Sequence, residues 1–229
     1  MRRLSLFQPQ DGVHPAFFKV RLILEGMVPE RSLDRIAHAF AETPVRLKIS
    51  RGRATKTGDF RPPQRGQAIT ITVNSNLNPY ACLITLVHEL AHYYVYRSKH
   101  MPALFSGKTR KRYSPHGKEW KETFRSLLWE YLTEDVFPAA VLDALILYME
   151  NPTASTFNNQ RLVRALAEFD LPSGLVTVES LPDKAVFRTT TGRRFRKLER
   201  KRTRYMCYCL DNHRRYLFSP IAQVIPESD

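Results

Sequence analysis

The segment TLVHELAHYY, residues 85–94, carries polar side chains in a run that is otherwise apolar. Apart from the closing tyrosines, the polar residues are Thr85, His88, Glu89 and His92. Their spacing of i, i+3, i+4 and i+7 places them in one stripe along a helix. Removing ionisable groups from water is costly unless they gain a partner, and a metal ion is such a partner.

The pattern His-Glu-x-x-His in this segment predicts a catalytic metal site. Two histidines four residues apart bring both imidazoles to one point, and the intervening glutamate lies beside them. We therefore expect His88 and His92 to bind one catalytic Zn²⁺ and Glu89 to act as the general base. Thr85 is either a bystander or a hydrogen-bond partner of these groups.

A catalytic zinc ion needs a third protein ligand and one open position. An extended pattern with glycine and histidine later on the same helix fails, because Val95 and Ser98 stand at those positions. The remaining candidates are His100, His116 and Glu119. His116 is favoured because it lies four residues before Trp120, on the apolar side of the next predicted helix, whereas His100 falls in a polar loop.

Hydrophobic periodicity divides the chain into a mostly helical part and a C-terminal part of short strands. Helices are predicted over 15–42 with Ser32 as a cap, from Asn78 and Pro79 to about residue 96, from Ser114 onward, over 136–150 and over 160–169. Strands are predicted at 45–50, 68–74, 184–188, 193–198, 204–210 and 214–219. The last four indicate a small β-meander after a boundary at residues 172–175.

Positive charge is concentrated in the C-terminal strands. The chain has a formal net charge of +14, and between Lys184 and Arg215 twelve basic residues face two acids, Glu199 and Asp211. Arginines bind phosphates and interleaved tyrosines stack on unpaired bases, so this region predicts binding of DNA, single-stranded or at junctions, without sequence preference. The alternative is that the arginines only solvate the open face of a small sheet.

The residues assigned to nucleic-acid binding form two groups, one before His116 and one in the C-terminal strands. They are Lys108, Arg110, Lys111, Arg112, Arg193, Arg194, Arg196, Lys197, Arg200, Lys201, Arg202, Arg204 and Tyr205.

Cysteine content and hydropathy indicate the compartment. Three cysteines are too few for a disulfide framework and suit a reducing environment. No apolar run reaches the roughly 20 residues that cross a bilayer, and the N-terminus does not resemble a signal peptide. We expect a cytoplasmic monomer that does not bind membranes and that could associate with the nucleoid.

The segments LITLVHELAHYY (83–94) and SPHGKEWKETF (114–124) together resemble the SprT-like zinc metallopeptidases, the family that includes the DNA-dependent protease Spartan. In that family the third zinc ligand is the histidine of a later His-Gly-x-x-Phe/Trp element, which residues 116–120 match. The likeness extends over about residues 20–225. It implies an α+β protein with a zincin-like metallopeptidase domain at 1–172, built from a small sheet, the active-site helix and supporting helices, and a basic β-meander domain at 173–229.

The C-terminal region departs from the family pattern. Many members end in a zinc ribbon with four cysteines, but here the matching region has only Cys207 and Cys209. With His213 a second metal site is conceivable, yet a ribbon needs four ligands. We therefore expect a degenerate ribbon that keeps the shape without the metal, with both cysteines as small strand residues.

The resemblance implies a zinc metalloprotease that hydrolyses peptide bonds in DNA-associated or DNA-crosslinked proteins. Proteases of this architecture align an extended substrate on an edge strand, and the strand AITITVN (68–74) is the candidate. Tyr113 is the candidate for stabilising the oxyanion. The alternative function is a DNA-associated regulatory protein that keeps the zinc fold with little or no proteolysis, and the intact Glu89 favours the protease.

Overall fold

A computed structural model describes residues 14–53, 56–64, 66–106, 114–153 and 159–227. Helices and two sheets combine in these residues, which confirms the α+β class. The chain divides into two compact units, residues 1–156 and residues 157–229. The functional domain boundary predicted at residue 172 stays a prediction.

The first unit combines five helices with a three-stranded sheet in its described residues. The helices are α1 (Pro15–Leu24), α2 (Glu30–Ala41), α3 (Pro79–Ser106), α4 (Lys118–Trp129) and α5 (Ala139–Glu150). The strands are β1 (Arg46–Ser50), β2 (Gly58–Arg61) and β3 (Thr70–Asn74). Ile71 and Val73 of β3 are fully buried, as are Leu83, Ile84 and Leu86 of α3, so the core lies where the sheet packs on this helix.

Helix α3 begins where the sequence predicts and ends later. The Asn78 side chain accepts a hydrogen bond from the Ala81 N–H at 2.9 Å, which caps the helix before Pro79. The predicted end near residue 96 and the polar loop at His100 are wrong, because the helix continues to Ser106. The His100 ring stacks on Tyr96 one turn earlier, with 4.4 Å between ring centroids, so side-chain contacts along the helix favour its continuation.

Two other helix starts also differ from prediction. Ser32 lies inside the first turn of α2, and its hydroxyl donates to the Pro29 carbonyl at 2.6 Å instead of capping the helix. Helix α4 begins at Lys118, so His116 lies in the turn that precedes it. The Gly117 N–H donates to the Ser114 carbonyl at 3.0 Å and closes that turn.

The order of strands in the first sheet is β1-β3-β2, so β3 is central and β2 lies at an edge. Strand β1 pairs with β3 in parallel and β2 pairs with β3 antiparallel, Gly58 opposite Val73 and Arg61 opposite Thr70. The prediction that residues 68–74 form the substrate-aligning edge strand is therefore wrong. Hydrophobic periodicity does not indicate strand β2, because Gly-Asp-Phe-Arg is short and lacks the alternation of a half-buried strand.

The second unit has one helix and a six-stranded sheet in its described residues. Helix α6 spans Gln160–Ala167. The strands are β4 (Val176–Thr177), β5 (Val186–Arg188), β6 (Arg194–Lys201), β7 (Arg204–Cys209), β8 (Arg215–Phe218) and β9 (Gln223–Pro226), in the order β4-β9-β5-β6-β7-β8. Strands β5 to β8 are each paired with the next along the chain, which confirms the predicted meander. No helix in the described parts of the chain combines the length and hydrophobicity needed to span a membrane.

Candidate metal centre

Three histidine side chains from two separate segments converge on one point of the first unit. His88 and His92 lie on α3, and His116 lies in the turn before α4. Their Nε2 atoms are 3.3 Å apart for His88 and His92, 3.0 Å for His92 and His116, and 3.3 Å for His116 and His88. These three histidines lie close enough together to bind one metal ion.

The triangle of nitrogens has the dimensions of a tetrahedral metal site. Ligand atoms placed 2.0–2.1 Å from a tetrahedral ion lie about 3.3 to 3.4 Å from one another, close to the distances between these Nε2 atoms. Mutual hydrogen bonds cannot satisfy all three nitrogens, because each Nε2 carries either one proton or one lone pair. The residues therefore fit a metal ion at the centre of the three imidazoles.

The site favours the neutral imidazoles that metal binding requires. Burial, followed by the charges of His92 and His116, lowers the pKa of His88 to about 2. Burial and then His116 lower the pKa of His92 to about 3, and burial lowers the pKa of His116. Neutral imidazoles present a lone pair at neutral pH, so no proton has to be displaced before an ion binds.

Aromatic rings hold the three imidazoles in place. Trp120 of α4 is fully buried, and its ring centroid lies 4.6 Å from His88, 5.4 Å from His92 and 4.7 Å from His116. Phe124 stacks on this indole, with 5.0 Å between the ring centroids. Helix α4 thus supplies the aromatic rings that pack against the imidazoles, and the turn before it supplies the third histidine.

Glu89 lies beside the histidines and is bonded to the edge strand. Its side chain is buried, and its carboxylate accepts a hydrogen bond from the Phe60 backbone N–H of β2. The Phe60 ring stacks on His92 with 6.4 Å between centroids. Burial, and next the charge of Asp59, raise the pKa of Glu89 to about 8. A carboxyl group in this range can both accept and release a proton near neutral pH.

Gly58 lets β2 approach α3 and the glutamate closely. A Cβ atom at this position would lie 2.6 Å from the Thr85 Cγ2 atom and 2.9 Å from Glu89 Oε1. The Thr85 hydroxyl donates to the Ala81 carbonyl of its own helix at 2.7 Å, so the suggested hydrogen bond from Thr85 to the site is not formed. Sequence reasoning missed Gly58, although a glycine within a strand often marks such a close approach.

A network of polar groups holds the chain that leads into β2. The buried Asn74 donates from Nδ2 to the Lys56 carbonyl at 2.9 Å and to the Arg53 carbonyl at 3.3 Å, and its Oδ1 accepts from Arg53 Nε at 2.8 Å. Burial opposes ionisation of Asp59, but hydrogen bonds from Arg53, Arg61 and Lys56 outweigh it and lower the pKa to about 2. These contacts fix the edge strand where it faces the histidines.

The histidines and the edge strand line one cleft of about 420 Å³. Its lining residues are Gly58, Asp59, Phe60, Pro62, His88, Glu89, His92, Pro115 and His116. The other candidates for the third ligand lie elsewhere. Glu119 is ion-paired with Lys99, and neither it nor His100 belongs to the cluster of potential ligands found in the described residues.

The basic residues assigned to nucleic-acid binding do not form one surface. Lys197 is only 3% exposed, and its ammonium donates to the carbonyls of Leu181 at 2.5 Å and Glu179 at 3.3 Å. Tyr205 packs against the core with the Lys197 ammonium 4.4 Å from its ring centre. Burial of the Lys197 ammonium contradicts its assignment to nucleic acid, whereas Tyr205 is half-buried and its assignment stays a prediction.

The remaining assigned residues divide into exposed and undescribed ones. The arginines and lysines at 193, 194, 196, 200, 201, 202 and 204 are exposed. Lys108, Arg110, Lys111, Arg112 and Tyr113 lie outside the described residues. Cys207 and Cys209 are fully buried in the core of the second unit, and the described residues bring no potential metal cluster to them.

Comparison with protein-family models, with curated proteins and with solved structures finds no match to this chain. The geometry of the site therefore carries the functional argument.

Proposed function

We propose that this protein is a zinc-dependent peptidase. The observation that carries the proposal is the convergence of three imidazoles beside a buried glutamate, in a cleft lined by the edge strand of a β-sheet. A general base next to a three-histidine site serves hydrolysis, whereas a purely structural metal site has no use for one.

Zinc is the ion that we propose for this site. Imidazole nitrogen suits zinc as it suits copper, iron and nickel, and three protein ligands that leave a fourth position open, beside a general base, are the arrangement of catalytic zinc sites. When bound, such an ion polarises the scissile carbonyl and makes water more acidic. The cleft beside the histidines leaves room for the substrate on the open side.

Glu89 moves the proton in this proposal. Its carboxylate takes a proton from the attacking water and delivers it to the departing amine. The hydrogen bond from the Phe60 N–H keeps one carboxylate oxygen fixed, so the other can face the cleft. Trp120 and the rings around it keep the imidazoles in one orientation throughout the reaction.

Strand β2 aligns the substrate in this proposal. The Asn74 N–H donates to the Thr57 carbonyl at 2.8 Å, so Thr57 and Asn74 form a hydrogen-bonded pair. Hydrogen-bonded and non-hydrogen-bonded pairs alternate along antiparallel strands, so the backbone groups of Gly58 and Phe60 point away from β3. The Phe60 N–H donates to Glu89. The carbonyls of Gly58 and Phe60 and the Gly58 N–H are left to pair with an extended polypeptide. This assignment replaces β3, which has partners on both sides.

The resemblance to SprT-like peptidases supports the same function. Its two motifs, residues 88–92 and 116–120, supply the histidines that converge. On this proposal the first unit is a zincin-like domain, and the strands of the second unit are a ribbon-like module that has lost its metal.

Nucleic acid is the proposed partner of the second unit. Most of the net charge of +14 lies between Lys184 and Arg215. Such a surface favours DNA as the partner, and DNA-associated or DNA-crosslinked proteins as substrates of a monomeric cytoplasmic enzyme that can associate with the nucleoid. The second candidate function is a DNA-associated regulatory protein with little proteolysis, which the same charge supports.

Metal analysis combined with a cleavage assay tests the proposal. We expect the purified protein to hold one zinc ion per chain and to cleave an unfolded protein such as casein, with and without added single-stranded DNA. The Glu89→Gln variant should keep the zinc and lose activity by about 10²- to 10⁴-fold, since it retains the ligands and loses the base.

The outcomes separate the two candidate functions. Zinc binding with DNA binding but no cleavage under either condition would favour the regulatory protein. Full activity of Glu89→Gln would reject the assignment of the base, and loss of zinc from that variant would make the result uninformative about catalysis, so its metal content is the matched control.

A further inference from the structure

The sheet of the second unit has one face on its core and one face turned to solvent. Phe187, Phe195 and Cys207 point into the core, where they pack with the other buried residues of the unit. Side chains alternate along each strand, so Arg196 and Tyr208 belong to the opposite face. We call this opposite face of β5 to β8 the outer face.

A row of three cross-strand neighbours crosses the outer face. Arg196 of β6 lies opposite Tyr208 of β7, and Tyr208 lies opposite Arg215 of β8. Both arginines are exposed and Tyr208 is half-buried. The Tyr208 hydroxyl and His213 Nδ1 are 3.0 Å apart, a hydrogen bond that orients the ring.

The two arginines of this row differ from their neighbours in their ion pairs. In the part of the chain that the structure describes, neither Arg196 nor Arg215 forms an ion pair. The neighbouring arginines of this face differ, since Arg188 and Arg194 both pair with Glu227, at 3.5 Å and 2.9 Å. Other exposed arginines, such as Arg193 and Arg204, form no ion pair in the described residues either, and the charge of Glu199 acts on Arg215. What distinguishes the row is Tyr208 between its two arginines.

We propose that the outer face binds single-stranded nucleic acid, with a base stacked on Tyr208 and phosphates held by Arg196 and Arg215. The inference rests on the proposed function only in taking nucleic acid as the partner of this unit. Adjacent strands lie about 4.8 Å apart, so the backbones of Arg196 and Arg215 lie about 10 Å apart, with Tyr208 on the strand between them. Guanidinium groups bind phosphate in bidentate fashion, and every base offers a face to the ring.

The tyrosine in the row is what selects a single strand. In a duplex the base faces are stacked on one another, so the ring gains nothing from them and only the arginines act. An acidic protein or an anionic membrane would use the two charges but would have no base to place on the ring. These partners are therefore alternatives that the experiment can reject.

Fluorescence anisotropy on the full chain tests the inference. The protein carries Glu89→Gln throughout, so that peptidase activity does not affect the measurement. The probes are a labelled oligothymidylate and a labelled duplex of the same length, at low salt. Tyr208→Leu removes the aromatic face and keeps the bulk, and the double variant Arg196→Ser with Arg215→Ser removes the two charges.

A matched control removes the same charge elsewhere in the unit. Arg161→Ser with Lys184→Ser removes two exposed charges, one on α6 and one in the turn before β5, and neither residue is assigned to nucleic-acid binding. We expect Tyr208→Leu to weaken oligothymidylate binding about tenfold and duplex binding hardly at all. The row variant should lose clearly more affinity than the control. Tyr208→Phe should keep most of the affinity, because it keeps the aromatic face and loses only the hydrogen bond to His213.

Several results would overturn the inference. Equal losses in the row variant and the control would mean that only net charge matters, and unchanged binding of Tyr208→Leu would remove the stacking site. Equal or tighter binding of vesicles rich in anionic lipid, or of polyglutamate, would point to another partner. If the parent binds neither probe, the proposed nucleic-acid partner itself fails.

Circular dichroism of each variant shows that the comparison is between folded proteins. If Tyr208→Leu does not fold, Tyr208→Phe and the arginine variants keep the test decisive.

Discussion

The metal centre of the first unit and the outer face of the second unit use ionisable groups in opposite ways. In the first, three imidazoles and a carboxyl group are withdrawn from water and point at one position. In the second, exposed guanidinium groups lie side by side across strands with a tyrosine between them. The first arrangement is close enough to hold a metal ion, and the second is the one for which we propose a polyanionic partner.

The difference follows from the cost of burial. Buried ionisable groups need partners in fixed positions, so each neighbour of the metal centre is constrained by geometry. Exposed charges are already solvated and need no fixed partner, so many arrangements of arginines are compatible with the same sheet. A substitution in the buried cluster should therefore have a larger effect than one of equal chemistry on the open sheet, and four predictions test this.

The largest effect is expected for His116→Ala. Removing one of three ligands should weaken zinc binding by at least about a hundredfold, more than the 10- to 100-fold typical of changes around the ligands. Competition with a fluorescent chelator measures the affinity. His100→Ala is the control, because its ring stacks on Tyr96 outside the cluster, and it should bind zinc normally. The opposite result for the two variants would assign the third ligand to His100.

Gly58→Ala should disturb the edge strand without removing a ligand. The new Cβ would clash with Thr85 Cγ2 and Glu89 Oε1, and overpacking of this kind costs up to about 3 kcal/mol. We expect lower peptidase activity with zinc retained, measured by steady-state cleavage and metal analysis. Thr85→Ser removes the nearer methyl group, so the double variant should recover part of the stability. Additive losses would contradict this contact.

Lys197→Met tests the buried lysine among the residues that were assigned to nucleic-acid binding in the second unit. It leaves the carbonyls of Leu181 and Glu179 without their donor, which should lower the free energy of unfolding by about 2 kcal/mol. Arg202→Met, at an exposed position, should change it by less than about 0.5 kcal/mol. Urea unfolding measures both. Equal effects would mean that burial does not distinguish these two cations.

The smallest effect concerns the acid sensitivity of Asp59. Its pKa is lowered in the folded protein to about 2, so its contribution to stability is present above its ordinary value of 3.8 and is lost as the pH falls toward 2. The groups that face it are Arg53, Lys56, Arg61 and Glu89. With partly exposed partners the contribution is about 1 kcal/mol.

Urea unfolding of the metal-free protein at about pH 6 and about pH 2.5 isolates this contribution. Asp59→Asn should be less stable than the parent at the higher pH, and the difference should be clearly smaller at the lower pH, where Asp59 is partly protonated. A constant difference between the two proteins would contradict the assigned pKa shift.

Local patterns were sufficient for the parts of the molecule that depend on neighbours along the chain. The stripe of His88, Glu89 and His92 follows from helical periodicity alone, and the cap at Asn78 is formed as predicted. The four meander strands were predicted from their alternation and turns. The motif also indicated His116, but its place beside the helix depends on how α4 packs.

Only the tertiary structure decided the features that depend on pairing between distant segments. It brings His116 to His92 across 24 residues, makes β2 the edge strand in place of β3, and brings Gly58 against Glu89. It also turns Lys197 inward and Tyr208 outward, although both lie in basic segments of similar composition. Composition and local spacing determine which chemistry the chain can carry, whereas strand register and helix packing determine which side chains meet, because one residue of register moves a side chain to the other face of a sheet.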